Sequence, residues 1–306
     1  MTVAADMRCY QALSSLLEKH TGQTLMANRH WRIDMALKPV MRENSVPDLQ
    51  TLVSLVEIDA DPKLTSQCVE AMINNETCFF RDQANFALLT GPVLDAVREQ
   101  RLTHKRIRIW SAACSTGQEP FSLAMAIAES PEKWAGWHVQ IMATDVSGAA
   151  LAQARSGKYS QFEIQRGLPV RLMVKHFEQR GEDWFAKDHL RKMVTFGEHN
   201  MLQPARHFGA FDVILCRNML MYLSESKRSQ VFDNVAPALA TDGIMMLGAA
   251  ETVIGQTDKL RSSQEFRGFY ESAARPSVSH STSGRPLVEI SDIAWQTTGR
   301  RLIMPQ

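Results

Sequence analysis

The segment from 106 to 128 constrains the fold more than any other part of the chain. Ile107, Ile109 and Trp110 read as a short buried strand, 112–117 as a loop of small residues, and Gln118 onward as a helix. Pro120 suits the first turn of that helix, where its missing N–H would have no intrahelical partner. Glu119 sits where the positive end of the helix dipole favours an acid. A strand, a tight loop and a helix N-terminus in succession form a nucleotide-type binding corner of an open α/β sheet.

The rest of the chain alternates in the way such a sheet requires. Strands are expected at 107–110, 139–144, 194–198, 213–216 and 244–249, with a last one near 267–272 as an antiparallel edge. Helices are expected near 118–129, 148–155 and 224–240. The fold class is therefore α/β, a doubly wound sheet. Within 183–195, two short strands around Lys187-Asp188 predict a hairpin, so a small β insertion is placed at about 180–197.

An all-α N-terminal domain precedes the sheet. Leu13, Leu16, Leu17 and His20 share one helical face; Ile33, Leu37, Val40 and Met41 share a second. Leu49, Leu52, Val53 and Val56 make a third, and Leu64, Cys68, Val69, Met72 and Ile73 a fourth. Thr21-Gly22, the stretch 45–48 and Asp61-Pro62 supply the breaks, with Asp and Pro as helix-start residues. The domain reading is 1–82 helical, 83–104 a linking helix and 105–273 the α/β unit. The tail at 274–306 is too poor in apolar residues to offset its ordering entropy and is expected to be flexible.

Composition narrows the function. The net charge of the 306 residues is +1, which provides no field for nucleic acid or membrane. Cys9, Cys68, Cys78, Cys114 and Cys216 lack metal-ligand spacing, as do the nine histidines, so no metal is expected and the thiols read as reduced. No signal-peptide pattern and no run near the ~20 apolar residues of a membrane span is present. The expectation is a soluble, cytoplasmic protein without nucleic-acid partner or membrane insertion.

The loop itself selects the ligand. A dinucleotide pocket needs several glycines for close approach to a pyrophosphate. Here Gly117 is the only glycine among Ala112, Ala113, Ser115 and Thr116, and no phosphate-binding lysine follows. A phosphate-free nucleoside fits better, and S-adenosylmethionine meets that description. Asp145, ending the second strand, is placed to accept ribose hydroxyls or to cap the next helix near Ser147. Glu119 is placed equally well for a ligand ammonium or for its own helix start.

Four separated motifs carry a resemblance. They are Asn75-Glu-Thr-Cys-Phe-Phe-Arg-Asp82, the segment Ser111 to Ser122, Ala143-Thr-Asp145, and Phe211-Asp-Val-Ile-Leu-Cys-Arg-Asn-Met-Leu-Met-Tyr222. In order and spacing they resemble the CheR-type chemotaxis receptor methyltransferases, which are protein-glutamate O-methyltransferases. The resemblance covers about residues 10 to 272. It implies S-adenosylmethionine bound between the two domains, S-adenosylhomocysteine as product, and the cytoplasmic helices of methyl-accepting chemotaxis receptors as partners. It places Asn75, Thr77, Arg81, Gly117, Glu119, Asp145, Asn200, Met201, Arg217 and Asn218 at the cofactor, and Arg81 and Tyr222 at the methyl-transfer centre. Phe79 and Phe80 read better as core than as ligand stacks, and Tyr222 also suits an ordinary buried tyrosine.

Two departures stand out. Ala249-Ala-Glu-Thr252 replaces a Ser-Glu pair frequent in the family. The short stretch Gln179-Arg-Gly-Glu-Asp183 stands where members tethered to a receptor C-terminal peptide carry a longer loop, which points to a tether-independent enzyme. Arg29, His30, Arg32, Lys38 and Arg42, opposed mainly by Asp34, form either a receptor-steering face or a solvated helix face. Competing functions are a non-catalytic S-adenosylmethionine-binding signalling module and a methyltransferase acting on another substrate.

Overall fold

A computed structural model describes residues 3–24, 30–58 and 60–276. Arg29 and the tail from 277, including the modestly apolar stretch 287–303, lie outside the described residues. The chain opens with helices α1 (Val3–Thr21), α2 (His30–Glu43), α3 (Leu49–Glu57) and α4 (Pro62–Met72). Their starts are chemically marked. Asp48 accepts the Thr51 N–H at 2.8 Å, and Asp61 accepts those of Lys63 and Leu64 at 2.9 and 3.2 Å, with Pro62 opening α4. Leu13, Leu17, Ile33, Leu37, Leu52, Val56, Leu64 and Cys68 meet in one helical core, the inward stripes that the 3.6-residue period predicts.

Helices α5 (Gln83–Leu88) and α6 (Leu94–Gln100) follow. The single linking helix expected here is interrupted at Leu89–Val93, a wider turn in which Gly91 leaves helical geometry. Pro92 accounts for the break, since it lacks an N–H and its ring crowds the preceding turn.

The α/β unit begins with β1 (Arg106–Ala112), α7 (Gln118–Ala128), α8 (Pro131–Trp134), β2 (His138–Asp145) and α9 (Gly148–Ser156). An excursion then comprises β3 (Lys158–Ser160), α10 (Gln161–Gln165), α11 (Val170–His176), β4 (Phe177–Arg180), β5 (Asp183–Ala186) and α12 (Asp188–Arg191). The chain returns through β6 (Val194–Glu198), β7 (Phe211–Cys216), α13 (Glu225–Val235), β8 (Leu239–Leu247), β9 (Leu260–Ser262) and β10 (Phe269–Ser272). The main sheet has seven strands in the order β6-β2-β1-β7-β8-β10-β9. β1 is parallel to both β2 and β7, whereas β10 runs antiparallel between β8 and β9. Because the order reverses between β1 and β7, their following loops part and leave a crevice at the strands' C-terminal ends.

Three expectations are corrected here. The hairpin turn lies at Gly181-Glu182, joining β4 to β5, not at Lys187-Asp188. Gly181 takes the left-handed φ of +63° that a tight turn needs, while Asp188 starts α12 and Val194 joins the main sheet. The small sheet β3-β5-β4 is thus separate from the main one and spans 158–186. The helix expected to reach 240 ends at Val235, and a short 3-10 turn containing Pro237 leads into β8, which starts five residues earlier than read.

Phe79 locks the N-terminal segment to the small sheet. It is fully buried, with its ring edge-on to Tyr159 (5.1 Å) and Phe177 (5.5 Å). Phe80 is half-buried beside it, its N–H donated to the Ser122 hydroxyl at 3.0 Å. The Asp61 cap makes a direct prediction. Asp61→Ala removes the one side-chain oxygen that accepts both N–H groups at the start of α4 and should lower unfolding free energy by about 1 kcal/mol, read as a shift of the urea midpoint at unchanged slope.

Candidate active site

The loop after β1 is held open by its own backbone. Ala113, Ser115 and Gly117 adopt φ of +58°, +51° and +92°. Two neighbours pin it: Ser115 donates its N–H to Asp145 Oδ2 (2.7 Å), and Cys114 donates to the Thr144 carbonyl (2.9 Å). The Tyr159 hydroxyl, fully buried, reaches in from β3 to the Thr116 carbonyl at 2.8 Å. Gly117 faces away from the crevice. A Cβ there would lie 2.9 Å from Ala154 Cβ and 3.2 Å from the Tyr159 hydroxyl. Its glycine therefore serves the turn and close packing against α9.

Asp145 joins the two loops that flank the crevice. Besides the Ser115 N–H on Oδ2, it accepts the Ser147 N–H on Oδ1 at 2.9 Å. The cap of α9 is Ser147, whose hydroxyl accepts the Ala150 N–H, so capping does not occupy Asp145. Burial raises the Asp145 carboxyl above its ordinary value, while the N–H groups of Ser147, Ser115 and Val146 favour the anion. Each oxygen meets one backbone donor and keeps further acceptor capacity.

A buried cation organises the opposite wall. Arg217 follows β7 and donates from Nη1 to Glu119 Oε2 (2.8 Å) and from Nη2 to Asp82 Oδ2 (2.9 Å) and the Arg81 carbonyl (2.8 Å). Its Nε is buried with no partner among the described residues. Glu119 also accepts the Ser111 hydroxyl at 2.7 Å. Phe80 and Asp82, flanking Arg81, take φ of +48° and +57°, and Asn218 takes +60°. Such conformations persist where surrounding contacts impose them. For Asn218 the contact is Glu251, which accepts the N–H groups of Asn218 (2.7 Å), Leu220 (2.8 Å) and Gly248 (2.9 Å).

Arg81 and Tyr222 both line the crevice. One guanidinium N–H of Arg81 reaches the Glu76 carbonyl at 3.2 Å; the Tyr222 hydroxyl has no partner among the described residues. The Tyr222 carbonyl accepts both the N–H (2.7 Å) and the hydroxyl (3.1 Å) of Thr24, so the helical unit holds the Tyr222 loop from outside.

The crevice is lined from both the helical unit and the loops that follow β1, β2, β6 and β7. Asn75, Thr77, Arg81, Glu119, Asp145, Asn200, Met201, Arg217, Asn218 and Tyr222 all line it; Gly117, as described, does not. One amide N–H of Asn200 is given to the His20 carbonyl (2.8 Å) and its Oδ1 accepts the Leu202 N–H (2.9 Å), which leaves its second side-chain N–H and its backbone for a ligand. Sequence reasoning missed Glu251, Asp82 and His199. Glu251 and Asp82 stood inside quoted motifs, and His199 directly precedes Asn200-Met201. Among the described residues no cluster suits a metal ion.

An acid at the end of β2, a second acid at the start of α7 and the lack of any phosphate-binding lysine fit a nucleoside carrying an amino-acid tail. Fold and crevice together define the class: an S-adenosylmethionine-dependent methyltransferase. Residues 75–269 match the family described as CheR methyltransferase, SAM binding domain. The chain is 34% identical over 253 residues to a chemotaxis protein methyltransferase of Vibrio parahaemolyticus, covering 82% of this chain and 91% of that one. It is 33% identical over 254 residues to chemotaxis protein methyltransferase Cher2 of Pseudomonas putida, covering 81% and 92%. Against chemotaxis protein methyltransferase 1 of Pseudomonas aeruginosa the identity is 34% over 248 residues, covering 80% and 90%. The chain belongs to the CheR methyltransferase family.

His199 provides a pH prediction. Burial, and next the neighbouring His207, push its imidazole down to about 4. Its ring packs on Phe208 (4.9 Å) and Trp110 (5.9 Å), and Nε2 is buried without a partner among the described residues. Between pH 6.5 and 4 the unfolded chain then binds a proton here that the folded one refuses, so stability falls as pH falls through this window. His199→Phe should lose less stability than the wild type between pH 7 and 5, measured by urea unfolding at both.

Proposed function

We propose that this enzyme transfers the methyl group of S-adenosylmethionine to glutamate side chains of chemotaxis receptors, forming glutamate methyl esters. The observation that carries the reading is the convergence of Arg81, Arg217, Glu119, Asp145 and Tyr222 on one crevice at the switch point of the sheet. In this reading residues up to 82 form the helical domain, 83–104 the link and 105–273 the α/β domain. The enzyme works in the cytoplasm, and among the described residues no helix is long and apolar enough to cross a membrane.

Asp145 accepts the ribose hydroxyls, since a buried carboxylate with unmet acceptor capacity favours O–H donors. Glu119 and the loop after β1 receive the amino-acid tail. Asn200, Met201, Asn75, Thr77, Asn218 and Arg217 complete the wall. The bound ligand supplies an electrophilic methyl on sulfur. A glutamate acceptor, with a reference pKa of about 4.3, is already ionised at neutral pH, so no general base is needed. Cys114, Ser115 and His199 all line the crevice, and among the described residues no hydrogen bond joins a thiol or hydroxyl there to the imidazole. The work left to the chain is alignment, which is worth up to about 7–11 kcal/mol in well-oriented model reactions. Arg81, with N–H groups to spare, binds the incoming carboxylate or orients the donor, and the Tyr222 hydroxyl fixes its approach.

The receptor helix lies along α2. Trp31 and Met35 are exposed (65% and 62%) on the same face as exposed Lys38 and Arg42. Asp34, the opposing acid, is engaged by the Tyr10 hydroxyl at 3.0 Å. A cationic face with aromatic and thioether contacts suits a glutamate-rich helix. The β4–β5 turn is only Gly181-Glu182, which favours recognition without a receptor C-terminal tether.

The decisive assay is transfer of labelled methyl to receptor-containing membranes followed by alkaline release of methanol, the signature of an ester. Arg81→Ala and Tyr222→Phe should each lower turnover by at least tenfold, roughly the 1.4 kcal/mol of one lost transition-state contact. Full turnover in both variants contradicts the assignment. Lys38→Glu with Arg42→Glu should raise the receptor KM, with the difference shrinking as salt rises; an unchanged KM at low salt places the receptor elsewhere.

A further inference from the structure

Glu70, on α4 of the helical unit, reaches across to the α/β unit. Its Oε2 accepts the Ser147 hydroxyl at 2.5 Å and its Oε1 accepts the Gly148 N–H at 2.6 Å. No cation pairs with it among the described residues. Both of its bonds go to the turn between β2 and α9, the turn whose Ser147 N–H is donated to Asp145. Ser147 also accepts the Ala150 N–H (3.0 Å) and lies 3.5 Å from Asn75 Nδ2, so its hydroxyl proton has one direction left and Glu70 takes it.

This placement has an electrostatic cost. Glu70 lies close enough to disfavour ionisation of the buried Asp145 carboxyl. A carboxylate kept next to a second one is retained for its geometry or for the α9 dipole, whose N-terminus it meets. The dipole does not demand this acid, because Ser147 already caps the helix.

We propose that Glu70 is a positioning residue for methyl-donor binding: through Ser147 it fixes the turn that aims Asp145, so the donor site is complete only with the helical unit docked. The inference rests on Asp145 as the ribose acceptor. It gives Glu70 a supporting part behind the lining residues Asn75, Thr77 and Arg81, distinct from the receptor contacts placed on α2.

The test is a double-mutant cycle on the full chain, with S-adenosylhomocysteine binding followed by calorimetry. Glu70→Ala should weaken binding by about tenfold, the scale of one lost hydrogen bond to a charged group. Glu70→Gln, which keeps one acceptor oxygen, should fall between Glu70→Ala and wild type. In Glu70→Ala the KM for donor should rise while the receptor KM stays constant. Combining Glu70→Ala with Asp145→Ala should add nothing beyond Asp145→Ala alone. If Glu70→Ala and Glu70→Gln bind like wild type while Asp145→Ala is weakened, the inference is overturned and the ribose assignment stands. Additive losses, or a lowered melting temperature with unchanged affinity, also overturn it, because either means a merely structural role. If Asp145→Ala binds normally, the ribose assignment itself fails.

Discussion

The burial of the Arg217 guanidinium is the constraint on which the site depends. A cation taken out of water costs several kcal/mol unless charge and hydrogen bonds are returned to it. Here they come from Glu119 at the start of α7 and from Asp82 and the Arg81 carbonyl in the segment after α4. Three stretches far apart in the chain must therefore meet at the end of β7. Arg81 faces the crevice because its own carbonyl belongs to that arrangement.

The second wall is built on the same logic with the sign reversed. Asp145 is a buried acid whose stability requires donors, and the loops after β1 and β2 each provide a backbone N–H. The loop after β1 is thereby tied to β2, and the loop after β2 folds back onto the end of its own strand. Five of the seven non-glycine residues with left-handed φ among the described residues are Phe80, Asp82, Ala113, Ser115 and Asn218. All five sit in the loops that form the crevice or frame Arg81. Bonds from Ser115 to Asp145, from Arg217 to Asp82 and the Arg81 carbonyl, and from Asn218 to Glu251 tie these loops in place.

Much of this was legible because it is local. Asp48 and Asp61 mark helix starts by side-chain bonds to residues two or three positions on, and the stripes of α1 to α4 are periodic. The strand, small-residue loop and Pro120 of the corner are likewise adjacent in sequence. The failures were equally local in cause. Gly91-Pro92 and Pro237 interrupt apolar patterns that otherwise read as continuous helix. Apolar residues on both sides of Lys187-Asp188 within 183–195 suggest a hairpin there, although β5 pairs backward with β4 through Gly181.

Sequence alone determined the class of sheet and the helical unit before it, and the resemblance carried by its motifs gave the family and ten of the residues that line the crevice. Those features follow from backbone preference, periodicity and motif spacing, all of which act over a few residues. Only the tertiary structure decided which groups face the ligand and which support those that do. Gly117 belongs to packing against Ala154, Asn200 directs its amide to His20, Glu251 holds the Asn218 loop, and Glu70 reaches the turn beside Asp145. The physical reason is that a buried charge or an unpaired N–H must find its complement in space. That complement is chosen by how the chain crosses itself, tens to hundreds of residues away.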